Sequence, residues 1–322
     1  MNKIRTAIIG AAGYTGGELI RLLIHHPQCE LVSIHSNSQK GKKLAEVHPD
    51  LIGESDLIFT DQVSVEGIDA VFLGLPHGEA KPFLEEHRFS PDTVIIDLST
   101  DFRDESNGFL YGLPETKRRE IQQAKRIANP GCFATGIQLA LIPAVANGLI
   151  QQTVHVTGIT GSTGAGKKLS ETTHFSQRNQ NISVYKLFTH QHQKEIKQTF
   201  QFLQPNYNQE MLFVPYRGNF SRGIWITAYF PFEGTEAEAY ALYEGFYKDA
   251  AFTHVSRQDI DLKQVVNTNK CIIHLKKEAG QLVVYAIIDN LLKGASGQAV
   301  QNLNLAFGLD EKAGLNLKSI AF

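Results

Sequence analysis

Residues 10 to 19 read GAAGYTGGEL, directly after the apolar run IRTAII and running into the helical pattern YTGGELIRLLIHH. Glycines placed between a strand and a helix near the start of a chain form the dinucleotide fingerprint. Gly10 would make the tight turn, Gly13 would let the backbone approach a pyrophosphate, and Gly16 would let the helix pack closely. A strand-to-helix turn without a ligand is the alternative reading of the same residues.

Working outward, ELVSIHS, AVFLGLP and TVIIDLS read as buried strands separated by helical patterns, which predicts a parallel sheet wound on both faces. From about residue 150 the rhythm changes to VHVTGIT, MLFVPY, GIWITAYFPF, CIIHLKKE and QLVVYAIID, which predicts an antiparallel or mixed sheet in a second domain of α+β type. The last stretch, LLKGASGQAVQNLNLAFGL, is helical in period and could pack on either domain. The fold class expected is therefore α/β, a Rossmann-type domain plus an α+β domain.

An acidic residue at the end of the second strand would select NAD. Here that strand ends in Ser36-Asn37-Ser38, followed by Lys40, Lys42 and Lys43. Hydroxyls and ammonium groups suit a 2′-phosphate, so NADP(H) is the expected cofactor.

The formal net charge of -2 gives no general attraction to nucleic acid or to anionic membrane. The short basic runs at residues 117–119 and 276–277 read as solvated faces. Cys29, Cys132 and Cys271 show neither disulfide nor zinc spacing, which fits a reducing cytoplasm. No apolar stretch is long enough for a membrane span.

Cys132 stands apart from the other two. It follows Asn129-Pro130-Gly131 and precedes the apolar helical run IQLALIPAVANGL, so its thiol would lie in the first turn of a helix. Unpaired N–H groups and the helix dipole favour a thiolate there, which makes a nucleophile. With NADP the chemistry suggested is reduction of a thioester by hydride, or the reverse oxidation of an aldehyde. The acid or base beside the sulfur would come from Tyr185–Ile196, in which His190 and His192 precede a helix-like stretch. No further ligands accompany this pair, so no metal is expected.

GSTGAGKK at residues 161 to 168 imitates a phosphate-binding P-loop, with Asp289 as a would-be magnesium ligand. That reading needs Ser or Thr after the lysine, and residue 168 is Lys. A turn closing over the cofactor beside Cys132 is the preferred reading. A non-catalytic NADP sensor is a further alternative.

Taken together, GAAGYTGGEL, LGLPHGEA, DLSTDFR, YGLPE, NPGCFATG, GSTGAGKK, HQHQKEI, FVPYRGNFSRGI and DNLLKGASGQAVQNLN stand in the order of one known family. The chain resembles the N-acetyl-γ-glutamyl-phosphate reductases, relatives of aspartate-semialdehyde dehydrogenase, from end to end. The resemblance implies an NADP-binding domain of residues 1–131 and 293–322 and a catalytic and dimerisation domain of residues 132–292. It implies Cys132 as nucleophile and His190 as acid/base partner. His192, Glu195, Arg222 and Arg103 would hold the substrate or its phosphate. Gly10, Gly13, Tyr14, Thr15, Gly16, Ser36, Pro76, His77, Ser99, Thr163, Gly164, Ala165 and Gly166 would line the cofactor groove, with Asn290 near the nicotinamide.

The implied reaction is NADPH-dependent reduction of N-acetyl-L-glutamyl 5-phosphate in arginine biosynthesis, by a homodimer or homotetramer. The chain departs from the family pattern at Phe133-Ala134 (usually Tyr-Pro), at Thr163 and Lys167 (Ser and Arg) and at Gln191 (Arg). The segment between DFR and YGLPE is also short. Gln191 and that short segment leave succinyl as an alternative to acetyl on the substrate.

Overall fold

The computed structural model describes residues 3–321. Two compact units emerge: one ends at Gly131 and takes back Ala295–Asn316, the other runs Cys132–Gly294 and takes in the chain from Leu317 onward. Lys293, Gly294 and the last residues thus group with the second unit. Asn267 Nδ2 donates to the Lys318 carbonyl at 3.3 Å and holds that tail.

The first unit is a six-stranded sheet of β1 (Ile4–Ile9), β2 (Cys29–His35), β3 (Ala70–Leu73), β4 (Val94–Asp97), β5 (Leu110–Tyr111) and β6 (Arg126–Ala128). Its order is β2-β1-β3-β4-β6-β5, and every pairing is parallel. Because β1 lies between β2 and β3, the strand order reverses at its C-terminal end, where open α/β sheets place their ligands. GAAG leaves the sheet at that point. The strands β5 and β6 are too short and too mixed in composition to show as period-two patterns. The helix Gly297–Ala306 closes the unit, with Gln298, Asn302 and Asn304 fully buried. Asn302 Nδ2 donates to the Gly112 carbonyl at 2.9 Å and to Asn129 Oδ1 at 3.1 Å, and Asn304 Nδ2 to the Ala313 carbonyl at 2.9 Å.

The second unit is a seven-stranded sheet of β7 (Val154–Thr160), β8 (Ser183–Val184), β9 (Met211–Arg217), β10 (Ile224–Pro231), β11 (Thr253–Ser256), β12 (Cys271–Glu278) and β13 (Gln281–Ile288). In the order β11-β12-β13-β10-β7-β9-β8 it is mixed: β7 with β9 and β11 with β12 are parallel, the rest antiparallel. β7 alternates buried and half-buried residues along its whole length, as a sheet with one covered face requires. The cover is the helix Cys132–Ala146, which is apolar all round and buried from Phe133 to Val145. Gly136 makes this approach close: a Cβ there would stand 3.1 Å from Ile226 Cγ1. Among the described residues no helix is long and apolar enough to cross a membrane.

Candidate active site

The glycine loop is shaped by backbone crowding. Gly10 has φ +82°, and a Cβ on it would lie 2.4 Å from the Gly74 carbonyl oxygen; at Gly16 a Cβ would meet the Ala11 backbone at 2.6 Å. Both positions exclude a side chain. At Gly13 the nearest atom is 3.8 Å away, an ordinary contact. Among the described residues nothing crowds this position, and the open space fits a ligand approaching the backbone. The loop is pinned from behind: the His35 carbonyl accepts from the N–H groups of Gly10 (3.1 Å) and Ala11 (3.0 Å), and His48 Nε2 donates to the Ala11 carbonyl at 2.9 Å. Gly17, which sequence reasoning passed over, is explained by His48, whose ring would stand 2.8 Å from a Cβ.

Other residues of the expected groove in this unit divide. Pro76 and His77 are exposed beyond β3, and Tyr14 is exposed at the start of the helix Tyr14–Leu23. Thr15 gives its carbonyl to Ser296 Oγ at 2.9 Å, and buried Ser36 lies 3.4 Å, hydroxyl to hydroxyl, from Ser38. Of the nearby lysines, Lys40 is paired with Asp61 at 2.7 Å. Ser99 is fully buried, and its hydroxyl donates to Asp97 at 2.7 Å. Asp97, which sequence reasoning missed, ends β4 at zero exposure. Burial pushes its carboxyl up to about 6, against the hydrogen bonds from Ser99. Arg103 is also internal: Nε donates to the Asn129 carbonyl and Nη2 to that of Leu98, both at 3.0 Å. It braces the Asn129-Pro130-Gly131 approach to the cysteine.

In the second unit Cys132 opens its helix and is partly exposed, whereas Cys29 and Cys271 are buried. Burial pushes the Cys29 thiol up to about 12, as an inert core cysteine requires. Space beside Cys132 comes from Gly294, where a Cβ would lie 2.9 Å from that of Cys132. The next residue, Phe133, lays its ring on β7 over Gly158, at 2.5 Å from where a Cβ would be. Phe133 then meets His190 edge-on at 5.5 Å between centroids, and Phe213 at 5.1 Å. Tyr185 (5.8 Å), Phe213 (5.6 Å) and His192 (4.6 Å) complete a cage around the His190 ring. Phe133 thus links the helix that Cys132 opens to the His190–His192 pair.

Burial in this cage, with a smaller push from Lys186, lowers His190 to about 4, so the resting imidazole is neutral. Its Nδ1 accepts the His192 backbone N–H at 3.3 Å. On that hydrogen bond the neutral ring's proton is assigned to Nε2, which presents a donor. His190 becomes a base only when the tautomer reverses and that long bond is given up. His192 Nε2 and Glu195 Oε1 face each other at 3.8 Å, both buried, in the first turn of the helix His192–Leu203.

The loop after β7 uses its backbone amides on its own turn and on a neighbouring loop. The amides of Gly161, Ser162 and Thr163 donate to the carbonyls of Gly223, Phe220 and Ser221, and those of Gly164 and Gly166 to Gly161 and Thr163. Donors already used in this way form no phosphate cradle. The loop is also followed by no long helix. Thr163 Oγ1 donates to the Ser221 carbonyl (2.6 Å) and accepts from Asn290 Nδ2 (3.0 Å), while Asn290 Oδ1 accepts from Gly223 N–H (2.7 Å). Asn290 and Thr163 therefore stitch two loops of the second unit together. Gly164, Ala165 and Gly166 lie on the same turn. Arg222 forks onto fully buried Asp289 at 3.0 and 3.1 Å, and Asp289 also accepts the backbone N–H groups of Asn267, Leu291 and Leu292. A carboxylate held in this way is no magnesium ligand in waiting, and among the described residues no metal-holding cluster occurs.

Comparison with known proteins agrees with this architecture. The family model of the semialdehyde dehydrogenase NAD binding domain matches residues 5–124, and that of the semialdehyde dehydrogenase dimerisation domain matches residues 132–290. An N-acetyl-gamma-glutamyl-phosphate reductase from Christiangramia forsetii is 55% identical over 98% of this chain and 99% of its own, and one from Parabacteroides distasonis 52% over 99% and 100%. Among solved structures, aspartate semialdehyde dehydrogenase II of Vibrio cholerae, complexed with ASA, superposes with a TM-score of 0.74 at 15% identity, covering 95% of this chain and 98% of that one. The Candida albicans aspartate semialdehyde dehydrogenase with NADP gives 0.71 at 14% identity, covering 97% and 99%. The last two establish the fold, the family models and close relatives the kinship: the chain belongs to the N-acetyl-γ-glutamyl-phosphate reductases, within the semialdehyde dehydrogenase family.

Proposed function

We propose that this protein reduces N-acetyl-L-glutamyl 5-phosphate to N-acetyl-L-glutamate 5-semialdehyde and phosphate with NADPH, and that Cys132 carries the acyl group between the two halves of the reaction. The observation that carries this reading is the setting of Cys132: a partly exposed thiol opening a long helix, with room cleared by Gly294 and with the next residue, Phe133, packed against the caged neutral His190. The sulfur attacks the acyl-phosphate carbonyl, the carbon–oxygen bond to phosphate breaks, and a thioester remains on Cys132. N–H groups of the helix start favour both the thiolate and the oxyanion of this step, each donor being worth about 3 kcal/mol in comparable sites.

His190 Nε2–H supplies a further donor where charge builds on that oxygen. Bound NADPH supplies the hydride that takes the thioester to the thiohemiacetal level. The tetrahedral alkoxide then re-forms the carbonyl as the carbon–sulfur bond breaks, releasing the aldehyde and the Cys132 thiolate, which takes up one proton from solvent to restore the thiol.

The first unit is the cofactor unit. Gly10, Gly13 and Gly16 with the start of the helix Tyr14–Leu23 would hold the pyrophosphate, and Ser36, Ser38 and the lysines beyond them the 2′-phosphate. The second unit is catalytic, with His192 and Glu195 facing the substrate. Its sheet has a second face, on which His155 stacks on Tyr229 at 5.0 Å and Trp225 meets Tyr285 at 5.9 Å. We assign this face to a second copy of the chain, as the matched dimerisation domain suggests. The cytoplasm is the compartment in which a reduced Cys132 and the reduced cofactor persist.

The test is phosphate-dependent reduction of NADP⁺, comparing N-acetylglutamate semialdehyde, N-succinylglutamate semialdehyde and aspartate semialdehyde. The N-acetyl compound is expected to show the highest kcat/KM. A higher value for either of the others would change the substrate, and no phosphate-dependent turnover of any would refute the reaction.

A further inference from the structure

The two arginines first suggested for the substrate's anionic groups are used by the fold, since Arg103 holds the Asn129 and Leu98 carbonyls and Arg222 forks onto Asp289. Two other arginines of the second unit are placed differently. Arg178 ends the short helix Phe175–Arg178 and is 7% exposed. Its Nη1 donates to Ser183 Oγ and its Nη2 to the Asn181 carbonyl, each at 3.2 Å. Its Nε is buried without a hydrogen-bond partner. Ser183 on β8 stands opposite Arg217 on β9, so the same strand pair brings the second guanidinium alongside. Arg217 Nη1 donates to Thr172 Oγ1 at 3.3 Å, and its Nε is likewise buried and unpartnered.

Among the described residues neither arginine forms an ion pair. Burial, and after it the charge of Arg217, hold Arg178 below the ordinary arginine range. Two like charges, Arg178 buried and Arg217 half-buried, without a counter-ion are unfavourable, and an oxyanion forked across them offsets both. Their link to the chemistry is Tyr185. The Arg217 guanidinium lies 4.9 Å over the Tyr185 ring, and that ring packs against His190. Burial first and the charge of Cys132 second push the Tyr185 hydroxyl up, so the cation pair stands one ring away from the nucleophile's cluster.

We propose that Arg178 and Arg217 form an oxyanion subsite that takes an acidic group of the substrate, either its phosphate or a carboxylate of the N-acylglutamyl part. The identity of the substrate rests on the function proposed above, but the subsite can be read without it. Alkylation of Cys132 by anionic iodoacetate is compared with alkylation by neutral iodoacetamide, in folded R178Q, R217Q and R217K proteins. The iodoacetate-to-iodoacetamide ratio should fall about tenfold in both glutamine variants. R217K should keep most of it, while iodoacetamide rates stay near those of the unmodified protein.

Steady-state assays in the phosphate-dependent direction then name the group. A raised KM for inorganic phosphate alone assigns the phosphate, for both N-acyl semialdehydes the α-carboxylate, and for the N-succinyl compound alone a carboxylate on the acyl group. A ratio that does not move in either glutamine variant, or one that falls while every KM is unchanged, would overturn the proposal. Should the unmodified protein turn over none of these semialdehydes, the reaction assigned to it fails, and the alkylation ratio still reports on the subsite.

Discussion

The two units build their sites by opposite means. The glycine loop of the first is made of backbone against backbone: Gly10 against Gly74 and Gly16 against Ala11, with the amides of Gly10 and Ala11 tied to the His35 carbonyl. The cysteine site of the second is made of side chains, with Phe133, Tyr185 and Phe213 around His190. The first arrangement presents the start of the helix Tyr14–Leu23 to a charged ligand, and the second buries one imidazole among aromatic rings in the unit that carries a partly exposed thiol. Substitutions should separate the two kinds of construction, in cofactor affinity for the first and in chemistry for the second.

The largest effect is expected at Cys132. C132S should lose at least about a thousandfold in kcat, because the hydroxyl is neither ionised by the helix start nor a comparable leaving group. NADPH binding, followed by fluorescence titration, should stay within about twofold. H190Q should cost about a hundredfold or more in kcat, within the usual range for a positioned acid or base, again with cofactor affinity kept. A variant that lost affinity and rate together would mean that the division of labour is wrong.

Within the glycine loop G16A and G13A are expected to differ. G16A forces a Cβ to 2.6 Å from backbone, which cannot yield as a side-chain tip can. It should lower stability by about 2–3 kcal/mol as well as weakening NADPH binding. G13A meets only a 3.8 Å contact, so its thermal midpoint should be nearly unchanged while the KM for NADPH rises. Equal loss of stability in both would remove the case that Gly13 is there for the ligand.

The smallest effect is one of pH, and it has opposite signs at two residues, His190 and Asp97. His190 sits near 4 in the fold against 6.5 in an unfolded chain. Between those values it is neutral when folded and charged when unfolded, so its unit loses stability as pH falls from 6.5 toward 4. Asp97 sits near 6 against 3.8. Its contribution is complete below 3.8 and is lost as pH rises through 6. Each shift corresponds to about 3 kcal/mol at most. His26 and His35 of the first unit, also lowered by burial, pull the same way as His190, so the test is made by difference. Urea unfolding at pH 7.5 and pH 5 should show H190Q losing less stability on acidification than the unmodified protein and D97N lacking the gain that Asp97 contributes; an unchanged pH dependence in both variants would contradict the assignment.

What was legible in the sequence follows the same division. GAAGYTGGEL could be read because a strand, a turn and a helix adjacent in the chain carry the whole pattern, and Cys132 because Asn129, Pro130 and Gly131 announce a helix start locally. The cage around His190 could not be read, since Phe133, Tyr185 and Phe213 meet only through the pairing of β7 with β9 and the packing of the helix over Gly158. Asp97, Gly294 and the Arg178–Arg217 pair were missed for the same reason. Their roles exist only as contacts between segments distant in the chain. Ser99, Arg103 and Arg222 illustrate the converse: polar residues in family motifs whose side chains are occupied inside the fold.

The central claim is that Cys132 carries the acyl group. The direct measurement is a single-turnover experiment in the oxidative direction, mixing enzyme, NADP⁺ and N-acetylglutamate semialdehyde without phosphate and following both NADPH and the mass of the Cys132 peptide. The account predicts about one NADPH per chain in a burst, an N-acetylglutamyl adduct on Cys132 that phosphate discharges, and neither in C132S. Formation of NADPH with Cys132 unmodified, or an equal burst in C132S, would contradict it.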